Sequence, residues 1–348
     1  MSKADAAAAI LWVGATFYAL FGGADFGGGF WDLVAGGAEK GERPRALIQR
    51  SLTPVWEANH VWLIFVLVVL WTAFPTAFSA VFTTLYVPIA LAALGIVLRG
   101  SGFAFRKSIE GLSGRRAAGA TFALSSVLTP FFMGTVVGAV ASGNVPADGN
   151  GDAFSTWLQP LPLLIGAMFV ATGAYLSAVF LVGDARRAGE GDLERYFARR
   201  ALAAAAVAGI FAAAGLIELH AEARYVFDRL IDQGLPLVIA SALFGLALLA
   251  LLLRSMGRKA THDVGKRPIG RGFMRPLAAG AVVAVIWGWG VAQFPYLLPT
   301  SLRIDQAAAP GPTLTTVFIV FAAAAVLVLP ALGLLYTLSQ RDLLESEH

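Results

Sequence analysis

Carboxylates inside apolar stretches are the residues of this sequence that could do chemistry. Asp25 and Asp32 lie in the glycine-rich segment 21–32. Their spacing of seven residues places both on one helix face, about 10 Å apart at a rise of about 1.5 Å per residue. An ionisable group inside a membrane is costly unless it is paired or hydrated, and such groups mark proton pathways. We interpret both as proton-path residues. The alternatives are a packing seam around Asp25 and a solvated position for Asp32.

A third carboxylate, Glu57, stands near the start of the second apolar stretch. Thr53 and Pro54 have the pattern of an N-cap followed by a first helical residue. Glu57 and His60 are then three residues apart on one helix face. A carboxyl group can exchange protons where desolvation is balanced by a nearby cation, which predicts that Glu57 and His60 carry protons. The alternatives are a Glu57 locked into an ion pair and a neutral His60 in the core.

Four further residues are interpreted as supporting groups. Trp56 and Asn59 flank Glu57, and Arg99 ends the third apolar stretch. For Arg99 the simpler alternative is a snorkelling side chain whose charged end reaches the membrane surface. Gln293 lies in the aromatic segment 287–299, where we expect a polar contact across helices. The aromatic residues around it are typical of a membrane-interface belt.

The elements that position these residues are apolar stretches long enough to cross a membrane, which requires about 20 residues each. Nine such stretches occur, at residues 7–35, 54–74, 77–98, 117–142, 157–182, 200–218, 235–253, 277–297 and 314–338. The sequence therefore predicts an all-α integral membrane protein with about nine transmembrane helices. The connections are short, so we expect residues 1–348 to form a single polytopic membrane domain.

The positive charges predict the orientation of these spans. Of the 26 Lys and Arg residues, 22 fall in one alternating set of connections and four in the other. Positively charged connections stay cytoplasmic, which places the N-terminus outside and the C-terminus inside a bacterial plasma membrane. The positive charges then set the orientation of the spans and contact lipid headgroups, so nucleic-acid binding is not needed to explain them. In this orientation the predicted proton-path residues and Arg99 converge near the cytoplasmic face, as a hydrated entrance would require.

Composition excludes several classes of protein and site. Charged residues make up 14% of the 348-residue chain, against about 25% in soluble domains. The sequence contains no cysteine, which excludes disulfides, thiolate zinc sites, iron–sulfur clusters and covalently attached c-type haem. It contains only four histidines. We therefore expect no metal site and no haem on this chain.

Taken together, these residues resemble subunit II of cytochrome bd-type quinol oxidases. The resemblance is carried by Ala24-Asp25-Phe26-Gly27, by segment 54–63, by Leu98-Arg99 with segment 102–106, and by segment 287–299. It covers the chain in order. Family members often have Asp-Gly-Asn-Gln where this chain has Glu57-Ala-Asn-His60, and Gly-Phe-Asp where it has Gly23-Ala-Asp25.

The resemblance implies a fold of two four-helix bundles plus one peripheral helix. It implies a partner, subunit I, that carries haem b, a haem d (or b) at the oxygen site, and the quinol site. The complex would oxidise quinol and reduce dioxygen to water, taking protons from the cytoplasm. The acidic residue at the position of Glu57 is associated with a proton path in this family. A structural quinone in this subunit and a small accessory subunit are also implied as candidates.

Two other functions fit parts of the sequence. A proton- or ion-coupled transporter also places polar residues in the membrane, but it predicts two matching halves with broken helices near the midplane. A four-histidine cytochrome b would need more intramembrane histidines than His60 alone. The gathering of polar residues at one face favours the oxidase subunit.

Overall fold

The computed structural model describes residues 2–37, 39–52, 56–108, 112–256 and 271–340. The N-terminal helices are α1 (Lys3–Phe17), α2 (Gly23–Leu33), α3 (Glu42–Leu52), α4 (Trp56–Ala73), α5 (Pro75–Thr84), α6 (Tyr86–Ser108) and α7 (Leu112–Ala141). The C-terminal helices are α8 (Pro160–Arg187), α9 (Gly191–Glu222), α10 (Arg224–Asp232), α11 (Leu235–Met256), α12 (Met274–Gln293), α13 (Ile304–Ala307) and α14 (Gly311–Gln340). A π-helical turn, Tyr18–Gly22, joins α1 to α2, and a 3-10 turn, Arg271–Phe273, precedes α12. Two short strands, β1 (Tyr296–Leu298) and β2 (Leu302–Arg303), pair antiparallel.

The prediction of an all-α membrane protein is confirmed. Among the described residues, seven helices are long and apolar enough to cross a membrane, or eight if the bent pair α4–α5 counts as one span. The predicted count of nine is not confirmed. The described apolar segment of α6, Tyr86–Gly102, is not among those seven helices.

The third predicted span, 77–98, is wrong in its first part. Residues 77–84 belong to α5, which is bent by 116° from the described apolar part of α4. Phe74 has a non-helical backbone, and Pro75 is the first residue of α5. Proline disfavours a helical conformation at the preceding residue, so α4 ends there. The chain turns again at Leu85, where a non-helical residue closes α5 and precedes α6.

Contacts between the helices are described for an N-terminal set and a C-terminal set, named the N-terminal and the C-terminal bundle. In the N-terminal bundle α1 packs on α4, and α7 packs on α2 and α6. In the C-terminal bundle α9 packs on α8 and α11, and α12 packs on α8 and α11. Helix α8 also contacts α2 and α7 and so joins the two bundles, whereas α14 packs against α1 and α4.

One end of the molecule, here called the basic end, carries α3 and the turn between α8 and α9. Leu47 and Ile48 of α3 are buried in the core that includes α8 and α9. Arg43 of α3 forms ion pairs with Glu190 and Asp192. At the opposite end, the β1–β2 hairpin packs beside α12 and α13. The first span therefore runs toward the basic end, and its last third carries Asp25 and Asp32.

Candidate functional site

A buried ion pair joins the first and third predicted spans. The carboxylate of Asp25 on α2 accepts a hydrogen bond from Arg99 Nη2 on α6, with 2.7 Å between Oδ1 and the nitrogen. The same nitrogen lies 3.2 Å from the backbone oxygen of Asp25. Both residues are 1% exposed. The snorkelling alternative for Arg99 is therefore wrong, because its guanidinium is held inside the protein rather than at the membrane surface.

The guanidinium of Arg99 is held on several sides. Nη1 donates a short hydrogen bond to the hydroxyl of Ser126 on α7. The rings of Phe26 and Phe122 lie 4.8 Å and 4.7 Å from its central carbon. A charged donor with fixed partners and aromatic faces on two sides has little freedom to rotate. The position of the Arg99 charge is therefore set by three helices, α2, α6 and α7.

Glycines allow those helices to approach as closely as this geometry needs. A Cβ atom at Gly27 would lie 2.0 Å from the backbone oxygen of Gly173 on α8. A Cβ atom at Gly29 would lie 2.1 Å from the hydroxyl oxygen of Ser126 and 3.2 Å from Arg99 Nη1. The glycines of segment 21–32 thus allow close approach on two sides of α2, toward α8 and toward α7.

Two helix irregularities lie next to the ion pair. The π-helical turn Tyr18–Gly22 ends three residues before Asp25, and such turns occur frequently at functional sites. Pro130 lies inside α7, four residues after Ser126. A proline has no N–H to donate to the carbonyl four residues earlier, so the backbone oxygen of Ser126 lacks its usual helical partner.

Asp32 lies in a separate site at the basic end. It is 5% exposed, which contradicts the alternative of a solvated position. Arg45 Nε on α3 lies 3.0 Å from Asp32 Oδ1, and Arg45 also donates to the carbonyl oxygens of Gly36 and Gly37. Asp25 and Asp32 thus share a helix but have different arginine partners. Arg45 closes the turn between α2 and α3.

The residues of the second predicted span are described in part. Trp56 and Glu57 belong to α4, and their side chains lie outside the described residues. Asn59 is 3% exposed. The ring of His60 meets the ring of Phe26 edge-on, with 6.2 Å between the centroids. The ring of Phe26 therefore contacts both the ring of His60 and the guanidinium of Arg99.

Gln293 lies away from this cluster. Its side chain is 2% exposed, and its Nε2 donates to the backbone oxygen of Leu297 at 2.7 Å. The predicted contact across helices is therefore wrong. The amide instead bonds to β1, where the chain leaves α12, because a carbonyl only four residues away is the nearer acceptor.

Sequence reasoning missed Ser126, Thr129, Phe122 and Arg45. The first two belong to the pattern Ser125-Ser126 followed by Thr129-Pro130 in an otherwise apolar span. Hydroxyl residues next to an intrahelical proline could have been read as a polar stripe. No sequence signal connects Arg45 to Asp32, since that contact depends on the direction of the intervening turn.

No group of His, Cys, Asp or Glu side chains in the described part of the chain is arranged to hold a metal ion. The described histidines, His60 and His220, are near opposite ends of the molecule, one at the start of α4 and one near the end of α9. His220 contacts Arg224 and the ring of Phe227.

Comparison with known proteins gives consistent matches. The family model for cytochrome bd terminal oxidase subunit II matches residues 4–339. The chain is 22% identical over 348 residues to a Bacillus subtilis (strain 168) protein provisionally named cytochrome bd menaquinol oxidase subunit II, covering 97% of this chain and 95% of the relative. It is 25% identical over 325 residues to the cytochrome bd-I ubiquinol oxidase subunit 2 of Escherichia coli (strain K12), covering 83% and 80%.

The fold also matches a solved structure. The bd oxidase from Geobacillus thermodenitrificans contains a chain that aligns with a TM-score of 0.74 at 24% identity, over 97% of this chain and 98% of that chain. These matches favour the oxidase subunit over the transporter considered from the sequence.

Proposed function

The chain belongs to the cytochrome bd terminal oxidase subunit II family, and from that premise we propose that it supports a haem-bearing subunit I and supplies it with protons. Members of this family are subunits of quinol:oxygen oxidoreductases of the respiratory chain, and the chain is a multi-pass protein of the inner membrane. Three further parts of the proposal concern cofactors, partners and the proton path. Each rests on particular residues of this chain.

The proposal assigns the haems to the partner. Haem iron in proteins is held by His, Cys, Met or Tyr side chains, and this chain has no cysteine and four histidines. Of the described histidines, His60 contacts Phe26 edge-on and His220 contacts Arg224. These two described histidines lie near opposite ends of the molecule, so they do not form a pair of ligands to one haem. Haem b and the oxygen-site haem, d or b, then belong to subunit I, where they would supply the electron transfer and oxygen chemistry.

The proposal includes the other partners that the family resemblance implies. The principal partner is subunit I. The other proposed partners are a structural quinone, a small accessory subunit, membrane lipids and the quinol substrate. Mass spectrometry of lipid and quinone extracts from the purified complex, with and without subunit II, tests the quinone.

The observation that carries the proton path is the buried Asp25–Arg99 ion pair. A charge pair inside a membrane protein is expensive to desolvate, and replacing it by apolar residues is often neutral or stabilising. Its presence therefore points to a role other than stability. In the proposed path Glu57 and His60 receive protons at the cytoplasmic face, Asp25 lies beyond them, and Asp32 contributes at the same face beside Arg45.

Replacing Asp25 by asparagine tests this path. Asp25→Asn keeps the size of the side chain but cannot carry a proton, so we expect quinol oxidase turnover to fall roughly tenfold or more, the range in which proton-transfer groups act. Haem content should stay normal, because the amide oxygen of the asparagine side chain can still accept the hydrogen bond that Arg99 Nη2 donates. Glu57→Gln should behave in the same way. Haem spectra and oxygen consumption are measured on the same purified complex.

The matched control for this test is Asp184→Asn. Asp184 also pairs with an arginine, Arg275, at 2.7 Å, but it lies at the basic end of the C-terminal bundle. Turnover per haem should remain at the wild-type level in this variant. Wild-type turnover in Asp25→Asn would remove Asp25 from the path, whereas loss of haem in that variant would assign it a structural role.

The orientation belongs to the same proposal, with the N-terminus outside and the C-terminus in the cytoplasm. Alkaline phosphatase fused after the C-terminus should be inactive, and the same enzyme inserted at Asn150 between α7 and α8 should be active. The reverse result would place the basic end, and therefore the candidate proton entrance, at the outer face.

A further inference from the structure

Three polar side-chain atoms around the ion pair are buried without a hydrogen-bond partner among the described residues. They are Asp25 Oδ2, Arg99 Nε and Thr129 Oγ1. Thr129 is fully buried, and Asp25 and Arg99 are 1% exposed. Buried polar groups in native proteins are nearly always hydrogen-bonded, so three such atoms, two of them on the ion pair itself, require an explanation.

Two of the atoms lie on one edge of the ion pair. A guanidinium presents Nε–H and one Nη–H as parallel donors on the same edge, which matches the two oxygens of a carboxylate. Asp25 uses that edge only once, through Oδ1 and Nη2 at 2.7 Å. The second donor, Nε–H, and the second acceptor, Oδ2, are left without a partner among the described residues.

The third atom is placed by Gly95 on α6. A Cβ atom at Gly95 would lie 2.2 Å from Thr129 Oγ1, so only glycine leaves room for that hydroxyl. Gly95 lies one turn before Arg99, and helical side chains lean toward the N-terminus of their helix. On α7, Thr129 follows Ser126 by three residues, and Ser126 already bonds to Arg99 Nη1. The Thr129 hydroxyl thus lies in the turn adjacent to the guanidinium.

We propose that one water molecule is bound between Asp25 Oδ2, Arg99 Nε and Thr129 Oγ1. Buried waters typically make about three hydrogen bonds to otherwise unsatisfied polar groups. Arg99 Nε–H would donate to the water oxygen, and the two water hydrogens would bond to Asp25 Oδ2 and to the Thr129 hydroxyl. A metal cation is disfavoured by the adjacent guanidinium, and a small anion is disfavoured by the adjacent carboxylate.

This water deepens the proposed proton path and rests on it for its role. A proton that arrives as hydronium passes to Asp25 Oδ2 when one O–H bond of the hydronium breaks and the carboxyl O–H bond forms, leaving neutral water. Thr129 is then a positioning residue, because it orients the water without taking the proton. Gly95 makes the space in which that hydroxyl fits.

High-resolution cryo-electron microscopy of the complete oxidase complex in lipid nanodiscs tests the site. Four forms are compared: wild type, Thr129→Val, Thr129→Ser and Thr135→Val. Valine removes the Thr129 hydroxyl and keeps the shape, whereas serine keeps the hydroxyl. Thr135 is a matched control, since it is equally buried on α7 and its hydroxyl bonds to the backbone oxygen of Phe132 at 2.8 Å.

We expect a density peak within hydrogen-bond distance of all three atoms in wild type, Thr129→Ser and Thr135→Val, and its loss in Thr129→Val. Thr129→Val should also lower oxygen consumption at unchanged haem content and enlarge the effect of D2O on turnover. A purely structural role for Thr129 would not change the solvent isotope effect.

A wild-type map that resolves other buried waters but shows no peak here would overturn the proposal. An unchanged peak in Thr129→Val would overturn the role of Thr129. If the peak is present while Asp25→Asn retains wild-type turnover, the water site stands and the proton path through Asp25 fails. The two proposals are therefore separable.

Discussion

Both bundles have an apolar core, and the N-terminal bundle adds a buried ion pair to it. In the N-terminal bundle the described core includes Asp25, Arg99, Ser126 and Thr129. In the C-terminal bundle, α8, α9, α11 and α12 meet through an apolar core that includes Leu176, Val179, Val182, Phe197, Leu248 and Leu252. An apolar interior stabilises the fold without desolvating charge. In a buried ion pair, the attraction between the charges often does not offset the free energy of desolvating them. Under the proposed function, the C-terminal bundle is a scaffold and the N-terminal bundle carries the proton path.

Helix α8 links these two environments. On one side it packs against α2 at Gly27 and Gly173, next to the ion pair. On the other side it contributes to the apolar core with α9 and α12. The position of Asp25 therefore depends on packing in both bundles, although only the N-terminal bundle contains the ion pair.

The largest effect is expected from Arg99→Met. This change leaves the Asp25 carboxylate buried without its cation, and breaking one partner of a buried ion pair typically costs about 3–5 kcal/mol. We expect loss of subunit II from the membrane and loss of haem from the complex, measured by immunoblot and difference spectra. The double variant Asp25→Leu/Arg99→Met should regain assembly but not turnover. Normal assembly and normal thermal stability in Arg99→Met would contradict the proposed difference between the two bundles.

A core truncation in the other bundle should reduce stability alone. Leu252→Ala removes a fully buried side chain on α11, and such truncations typically cost about 2–5 kcal/mol. We expect a lower melting temperature of the complex with unchanged turnover per haem. Leu253→Ala is the control. The side chain of Leu253 is 53% exposed, so this variant should leave both the melting temperature and the turnover unchanged. A lower turnover per haem in Leu252→Ala would show that the C-terminal bundle is more than a scaffold.

The smallest of these effects is expected at the contact between the bundles. A methyl group at Gly27 would lie 2.0 Å from the backbone oxygen of Gly173, so Gly27→Ala must separate α2 from α8. Overpacking of this kind typically costs about 1–3 kcal/mol. Gly23→Ala on the same helix meets only Leu176, at an ordinary 3.9 Å. Thermal melts of both variants should show a decrease for Gly27→Ala alone, and equal melts would mean that this contact does not set the helix spacing.

Parts of the candidate site could be predicted from the sequence. Asp25, Asp32, Glu57 and Arg99 were identifiable because charged residues in apolar stretches are rare. Their partners were not identifiable. An i, i+3 spacing reports neighbours on one helix, but the Asp25–Arg99 contact joins residues 74 positions apart. The same reasoning explains why Gln293 was misassigned, since its acceptor depends on how the chain leaves α12.

The amino-acid sequence by itself determined that the chain is a helical membrane protein, because about 20 consecutive apolar residues suffice to specify a span. It also determined the family, through motifs distributed along the whole chain. Only the tertiary structure decided that residues 77–84 turn away from the third span. Hydropathy carries no information about the direction of a helix, and a proline at the start of a helix does not fix the angle to the helix before it. Only the tertiary structure paired Asp25 with Arg99 and Asp32 with Arg45. The physical reason is that a charge selects its partner by proximity, and proximity between helices is set by packing contacts such as Gly27 against Gly173 rather than by distance along the chain.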